Sequence, residues 1–271
     1  GAHAFLMLQK DGTTPVAYDP CREIHYVTTS TTNAPEGATR LIDDAIKTLS
    51  SITGLKFVDD GATKESPNDA RPAFQPDRYG QRWAPVLISW STASESPRLA
   101  VTTPDGAPPG STVDVLGYAG SVSAGFTSTG SATVKAGEPK GLTVDSTEPG
   151  SAPRNRAAQD RAAQDQAAQD RAALVPWAAQ AESTVSEDRV YVTGSLVLDS
   201  DNFTEMLAQF DGYARARATV LHELGHLVGL NHVGDANQLM TPSLNSSLTE
   251  FAAGDREGLA ALGKGACMPE I

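Results

Sequence analysis

His222-Glu223-Leu224-Gly225-His226-Leu227-Val228-Gly229-Leu230-Asn231-His232 reads HExxHxxGxxH, and its spacing answers a geometric requirement of zinc chemistry. On an α-helix, residues four apart lie one turn apart on the same face, so His222 and His226 can share one metal. A catalytic zinc takes a third protein ligand and keeps a fourth position for water. If the helix ran on, His232 would stand about 240° around the axis from His226 and roughly 9 Å along it, out of reach. Gly229 removes the obstacle, because glycine accepts φ > 0, ends the helix and lets the chain swing His232 back. Glu223 follows the first ligand and is placed to act as a general base on water.

The competing reading of these residues is an amphipathic core helix whose polar positions happen to be His and Glu. Against it, the chain holds 5 histidines, and three of them fall inside this stretch. A second mark follows: Gln238-Leu239-Met240-Thr241-Pro242, with Met240 eight residues after His232. With both marks the sequence resembles the metzincin metallopeptidases, and more narrowly the matrixin-like ones of secreted bacterial type. The resemblance implies a methionine turn beneath the metal, with Met240 supporting the site and doing no chemistry. Pro242 stands where astacin- and serralysin-like relatives carry a tyrosine, and the third ligand is His where the snapalysin-like branch has Asp. Ordinary core packing is the other reading of Met240.

The resemblance reaches both ends of the chain. Pro20 to Val27 looks like the family's first strand, and Gly37 to Gly54 like the helix after it. Leu41, Ile42, Ala45, Ile46, Leu49 and Ile52 keep a 3.6-residue apolar stripe there. Lys56 to Asp59 and Pro85 to Trp90 read as short strands, Val113 to Ala119 as the antiparallel edge strand, and Arg189 to Asp199 as its neighbour. Gly254 to Gly263 resembles the closing helix. The implied fold is α+β, a metzincin-type sandwich. It has a twisted, mostly parallel five-stranded sheet with one antiparallel edge strand, an active-site helix near Tyr213 to Val228, and a small C-terminal subdomain over 229–271.

One catalytic domain is expected over 1–271, interrupted by a low-complexity insertion at 123–188. Within it, Arg156 to Asp160, Arg161 to Asp165 and Gln166 to Asp170 repeat an xAAQD unit, and the repeat runs over about 156–173. A five-residue period advances roughly 140° per unit, so no fixed apolar face forms and nothing specifies burial. A solvated spacer is the expectation, with a partner-binding segment as the alternative.

Composition agrees with a compact extracellular enzyme. The net charge of -12 argues against a nucleic-acid footprint, which needs clustered Lys and Arg. No apolar run reaches 18 residues, so no membrane span is expected, and no signal peptide is visible in the sequence. The 2 cysteines, Cys21 and Cys267, stand at the first strand and after the last helix. One reading is a disulfide joining them in an oxidising compartment, which suits secretion; the other is two unrelated buried thiols. Asp199, Asp201 and Asn202 form a candidate Ca2+ site by resemblance. Helix capping is the alternative, with Asn202 and Glu205 spaced for a capping-box variant.

The resemblance implies a monomeric zinc endopeptidase with one catalytic Zn2+ on His222, His226 and His232, acting on extended protein or peptide substrates. It also places the outer wall of a substrate pocket at Thr241 to Leu248. Two other functions share the fold: a binding module without turnover, and a metallohydrolase of non-peptide substrates. A substrate peptide is expected to add to the edge strand, its main chain paired and its side chains turned into pockets.

Overall fold

The computed structural model describes residues 1–29, 33–100, 113–126, 132–137, 140–145, 188–243 and 245–268. Among them one sheet runs in the order β3-β2-β4-β8-β5-β6. Its strands are β1 (Ala17–Tyr18), β2 (Glu23–Thr29), β3 (Lys56–Thr63), β4 (Val86–Ser91), β5 (Val113–Phe126), β6 (Ala132–Ala136), β7 (Lys140–Asp145) and β8 (Arg189–Asp199). Strands β3, β2, β4 and β8 are parallel, and β5 runs antiparallel to β8. These five strands keep the expected mostly parallel order, but the sheet holds 8 strands where five were expected, with short β1 adding to the end of β8.

The helices are α1 (Ala38–Thr53), the short α2 (Pro76–Tyr79), α3 (Ser200–Leu207), α4 (Gly212–Val228) and α5 (Ala253–Leu262). The apolar stripe of α1 is buried at Leu41, Ile42, Ala45, Ile46 and Leu49, and the helix packs on α4. Tyr213 Oη donates to Asp44 Oδ2 at 2.6 Å and Arg217 Nη2 to Thr48 Oγ1 at 2.6 Å, locking the two helices in register. All six residues of β4 are buried, Ser89 and Ser91 included, as suits a central parallel strand covered on both faces. Trp90 at its end packs edge-on against Phe203 of α3, ring centroids 5.0 Å apart.

Two details differ from the sequence expectation. The cap of α3 is Asp199, not Asn202: its Oδ1 accepts from the main-chain N–H of Asp201 at 2.9 Å and of Asn202 at 3.0 Å. The sequence offers Asp199, Asp201 and Asn202 within one short stretch, and the end of β8 decides which of them stands outside the first turn. The second difference is larger. β5 is not the edge, because β7 pairs with its outer side over Val113–Ala119 and β6 over Val122–Phe126. The start of the expected insertion thus carries β-structure, while the Ala/Gln/Asp repeat at 156–173 lies outside the described residues.

Cys21 and Cys267 form a disulfide with Cα atoms 5.5 Å apart, closing a loop of 246 residues. Asp19 reinforces the junction, its carboxylate accepting from Cys21 N at 2.8 Å and Met268 N at 3.0 Å. A loop this long restricts the unfolded chain strongly, so the Cys21→Ser/Cys267→Ser pair is expected to lose about 2–4 kcal/mol. A urea midpoint unchanged from the parent would refute that.

Candidate metal centre

α4 supplies the first two histidines. His222, Glu223 and His226 are each 0% exposed, on the face turned to the inside of the molecule. The helix stops at Val228, and Gly229 follows with φ 123, its N–H bonded to Gly225 O and His226 O. A side chain there would also press on Leu262 and Tyr191, so both backbone and space require glycine. The turn lets Leu230 N donate to Gly225 O at 2.8 Å and carries His232 back over the helix.

The three rings meet through one nitrogen each. His232 Nε2 lies 3.2 Å from His222 Nε2 and 3.1 Å from His226 Nε2. The opposite nitrogens are committed: His222 Nδ1–H donates to Leu239 O at 2.7 Å and His226 Nδ1–H to Leu230 O at 2.8 Å. With those protons on Nδ1, both Nε2 atoms present lone pairs to one spot. A proton on His232 Nε2 could serve only one of its two neighbours, whereas a cation serves all three. Three tetrahedral Zn–N bonds of about 2.05 Å set the nitrogens roughly 3.3 Å apart, close to the spacing found. The residues present fit a zinc ion.

Burial holds the trio neutral, as ligands must be. His222 is lowered to about 3, by desolvation first and then the neighbouring His232, against the pull of its bond to Leu239. His226 is lowered well below 6.5 for the same first reason, with both neighbours adding. His232 falls to about 4, through burial and then the charge of Lys140. The unfolded chain takes up these protons near 6.5, and the folded chain only at lower pH, near 3 for His222 and near 4 for His232. Between those values the unfolded state binds more protons, so the metal-free protein loses stability as pH falls from 6.5. Each buried histidine contributes about 1.4 kcal/mol per pH unit within that window. Chemical denaturation of metal-free protein at pH 7.5, 6 and 5 should show the decline, and His222→Gln should flatten it. A stability independent of pH across this range contradicts the argument.

Beneath the rings lies the Met240 turn. A Cβ built at Gly225 would sit 2.7 Å from Met240 Sδ, so helix and turn touch at a position without a side chain. Two residues that the motif reading did not single out as site residues hold this turn. Asp255, at the start of α5 and 0% exposed, accepts from Leu239 N at 2.7 Å, Met240 N at 3.3 Å and Ala252 N at 2.9 Å. Gln238 Oε1 answers by accepting from Gly254 N at 2.8 Å and Asp255 N at 3.1 Å. The chain of contacts runs from Asp255 through Leu239 to His222. Its only local trace in the sequence is an Asp three places past the helix entry, as in a capping box.

The other candidates fall elsewhere. Asp199 caps α3 through Oδ1, so the capping alternative to the Asp199, Asp201 and Asn202 calcium site is the one seen in the side-chain bonds. His25 pairs with Asp60 at 2.8 Å in β2, away from the trio. Among the described residues, the second group with metal-ligand spacing is Asp19, Cys21 and Cys267, whose sulfurs are consumed by the disulfide.

The family model described as Matrixin, of the peptidase M10 type, matches residues 161–262. The described part of that range holds β8, α3, α4, the three histidines, the Met240 turn and all of α5. Over that range the chain is similar to the matrixins, and its three converging histidines suit the zinc that this family implies. A comparison with curated proteins gives no match. No helix among the described residues is long and apolar enough to cross a membrane.

Proposed function

We propose that the protein is a secreted zinc endopeptidase of extended protein chains, folded as one catalytic domain over 1–271. The observation that carries this is the meeting of three neutral Nε2 atoms beside a buried Glu223, next to a β-strand. His222, His226 and His232 are the zinc ligands, Met240 supports them from below, and Gly229 makes the turn between the second and third. When bound, zinc lowers the pKa of water and polarises a carbonyl oxygen. Glu223 takes the proton of the attacking water and hands it to the departing amine. β5 orients the substrate: a Cβ at Gly117 would lie 3.4 Å from Glu223 Cγ, so the strand passes directly by the base. A main chain paired with β5 is held extended there, which suits a peptide better than a compact substrate.

The test is zinc content together with cleavage of fluorescein-labelled casein, before and after chelation. One zinc per chain is expected, and cleavage should vanish with the metal and return when zinc is restored. Chelation should also lower the melting temperature, because metal that binds only the folded state stabilises it. A folded, zinc-loaded protein that leaves casein intact even at saturating casein would overturn the endopeptidase reading.

A further inference from the structure

The outer side of β5 is where an extended peptide would pair beside Glu223, and the chain places a strand of its own there. β7 runs antiparallel to β5, with Leu142 opposite Gly117, Gly141 opposite Tyr118 and Lys140 opposite Ala119. The other side of β5, over Gly117–Gly125, is taken by β8. Both edges of Gly117–Ala119 are therefore paired at the point where the strand passes Glu223. β7 also packs against α4, the helix of the first two histidines. Lys140 stands near enough to His226 and His232 for its charge to act on both. A peptide added outside β7 would lie one strand spacing, about 4.8 Å, farther from Glu223.

We propose that β7 is an intramolecular occupant of the peptide-binding edge, and that substrate pairs with β5 only after β7 leaves it. The inference rests on the endopeptidase reading and names the regulation of that same site. β7 follows β6 closely in the chain, and β6 is itself paired with β5 over Val122–Phe126, so the occupant is tethered within a few residues. Such tethers give effective concentrations on the order of millimolar, which a dilute peptide of equal affinity cannot match. The edge is taken by main-chain pairing, and among the described residues no further His, Cys, Asp or Glu joins the three histidines.

The experiment uses the zinc-loaded full chain carrying Glu223→Ala, so that binding is read without turnover. Thr143→Pro/Val144→Pro is added to release β7. Successive N–H groups of a strand point to opposite sides, so one of the two prolines removes a donor facing β5. Fluorescein-labelled casein should bind the released variant at least about 10-fold more tightly by anisotropy. Hydrogen exchange at Val113–Ala119 should accelerate in that variant and slow again with casein. Equal casein affinity despite fast exchange at 113–119 overturns the proposal. So does unprotected exchange of 140–145 in the parent chain, a measurement that needs no variant to fold. A released variant that binds casein tightly yet, with Glu223 restored, never cuts it would sink the endopeptidase reading and leave this one standing.

Discussion

Replacing Glu223 by alanine is expected to cut casein cleavage by about 10²–10⁴-fold, the range a positioned general base supplies. Zinc content should stay at one per chain, because the converging donors are the three Nε2 atoms and Glu223 is not among them. The fold should survive as well, since the substitution removes a buried carboxylate from a helix that alanine favours. Metal analysis, cleavage rate and melting temperature on one preparation separate the three effects. Unchanged cleavage in zinc-loaded Glu223→Ala would remove the base from the mechanism. Loss of zinc instead would show that the carboxylate holds the metal.

The second large effect is expected at Asp255, which contributes nothing to the metal directly. Its carboxylate accepts three main-chain N–H groups in a site closed to water. Burial raises its pKa, and the bonds from Leu239, Ala252 and Met240 pull it back down. Asp255→Ala leaves two buried donors and one part-buried donor without their acceptor, the buried ones each worth about 1–3 kcal/mol, so a loss of roughly 3 kcal/mol is expected. Leu239 O orients His222, so the same change should weaken zinc binding about 10-fold or more. Asp255→Asn keeps one acceptor oxygen and should fall between. Stability and zinc affinity both equal to the parent would show that the turn needs no such anchor.

The meeting of the three histidines was legible because its geometry is local. His222, His226 and His232 lie within one helix and the turn after it, and helical spacing together with the conformational range of Gly229 is enough to bring them together. The central strand and first helix were legible for a related reason: Val86–Ser91 is largely apolar, with Val86, Leu87, Ile88 and Trp90, and α1 keeps its stripe at helical spacing. Asp255 was not legible as a site residue, because its partners Leu239 and Met240 are 16 and 15 residues away, across a loop. The cap of α3 was misplaced by three residues, since Asp199 and Asn202 carry equally good acceptors and only the end of β8 chooses between them.

The pairing beside β5 shows the limit most clearly. Ala132–Ala136 and Lys140–Asp145 lie in a stretch rich in Ser, Thr and Gly, where neither residue alternation nor length marks a strand. Strand pairing is made by main-chain groups that every sequence carries, so a short polar strand leaves little imprint on its own residues. By itself the sequence determined which nitrogens could gather around a metal and which carboxylate stands beside them, because one helix and one glycine set those relations. Only the tertiary structure decided what lies along the edge where a peptide would bind, because that depends on how a distant segment returns to an open ladder of hydrogen bonds.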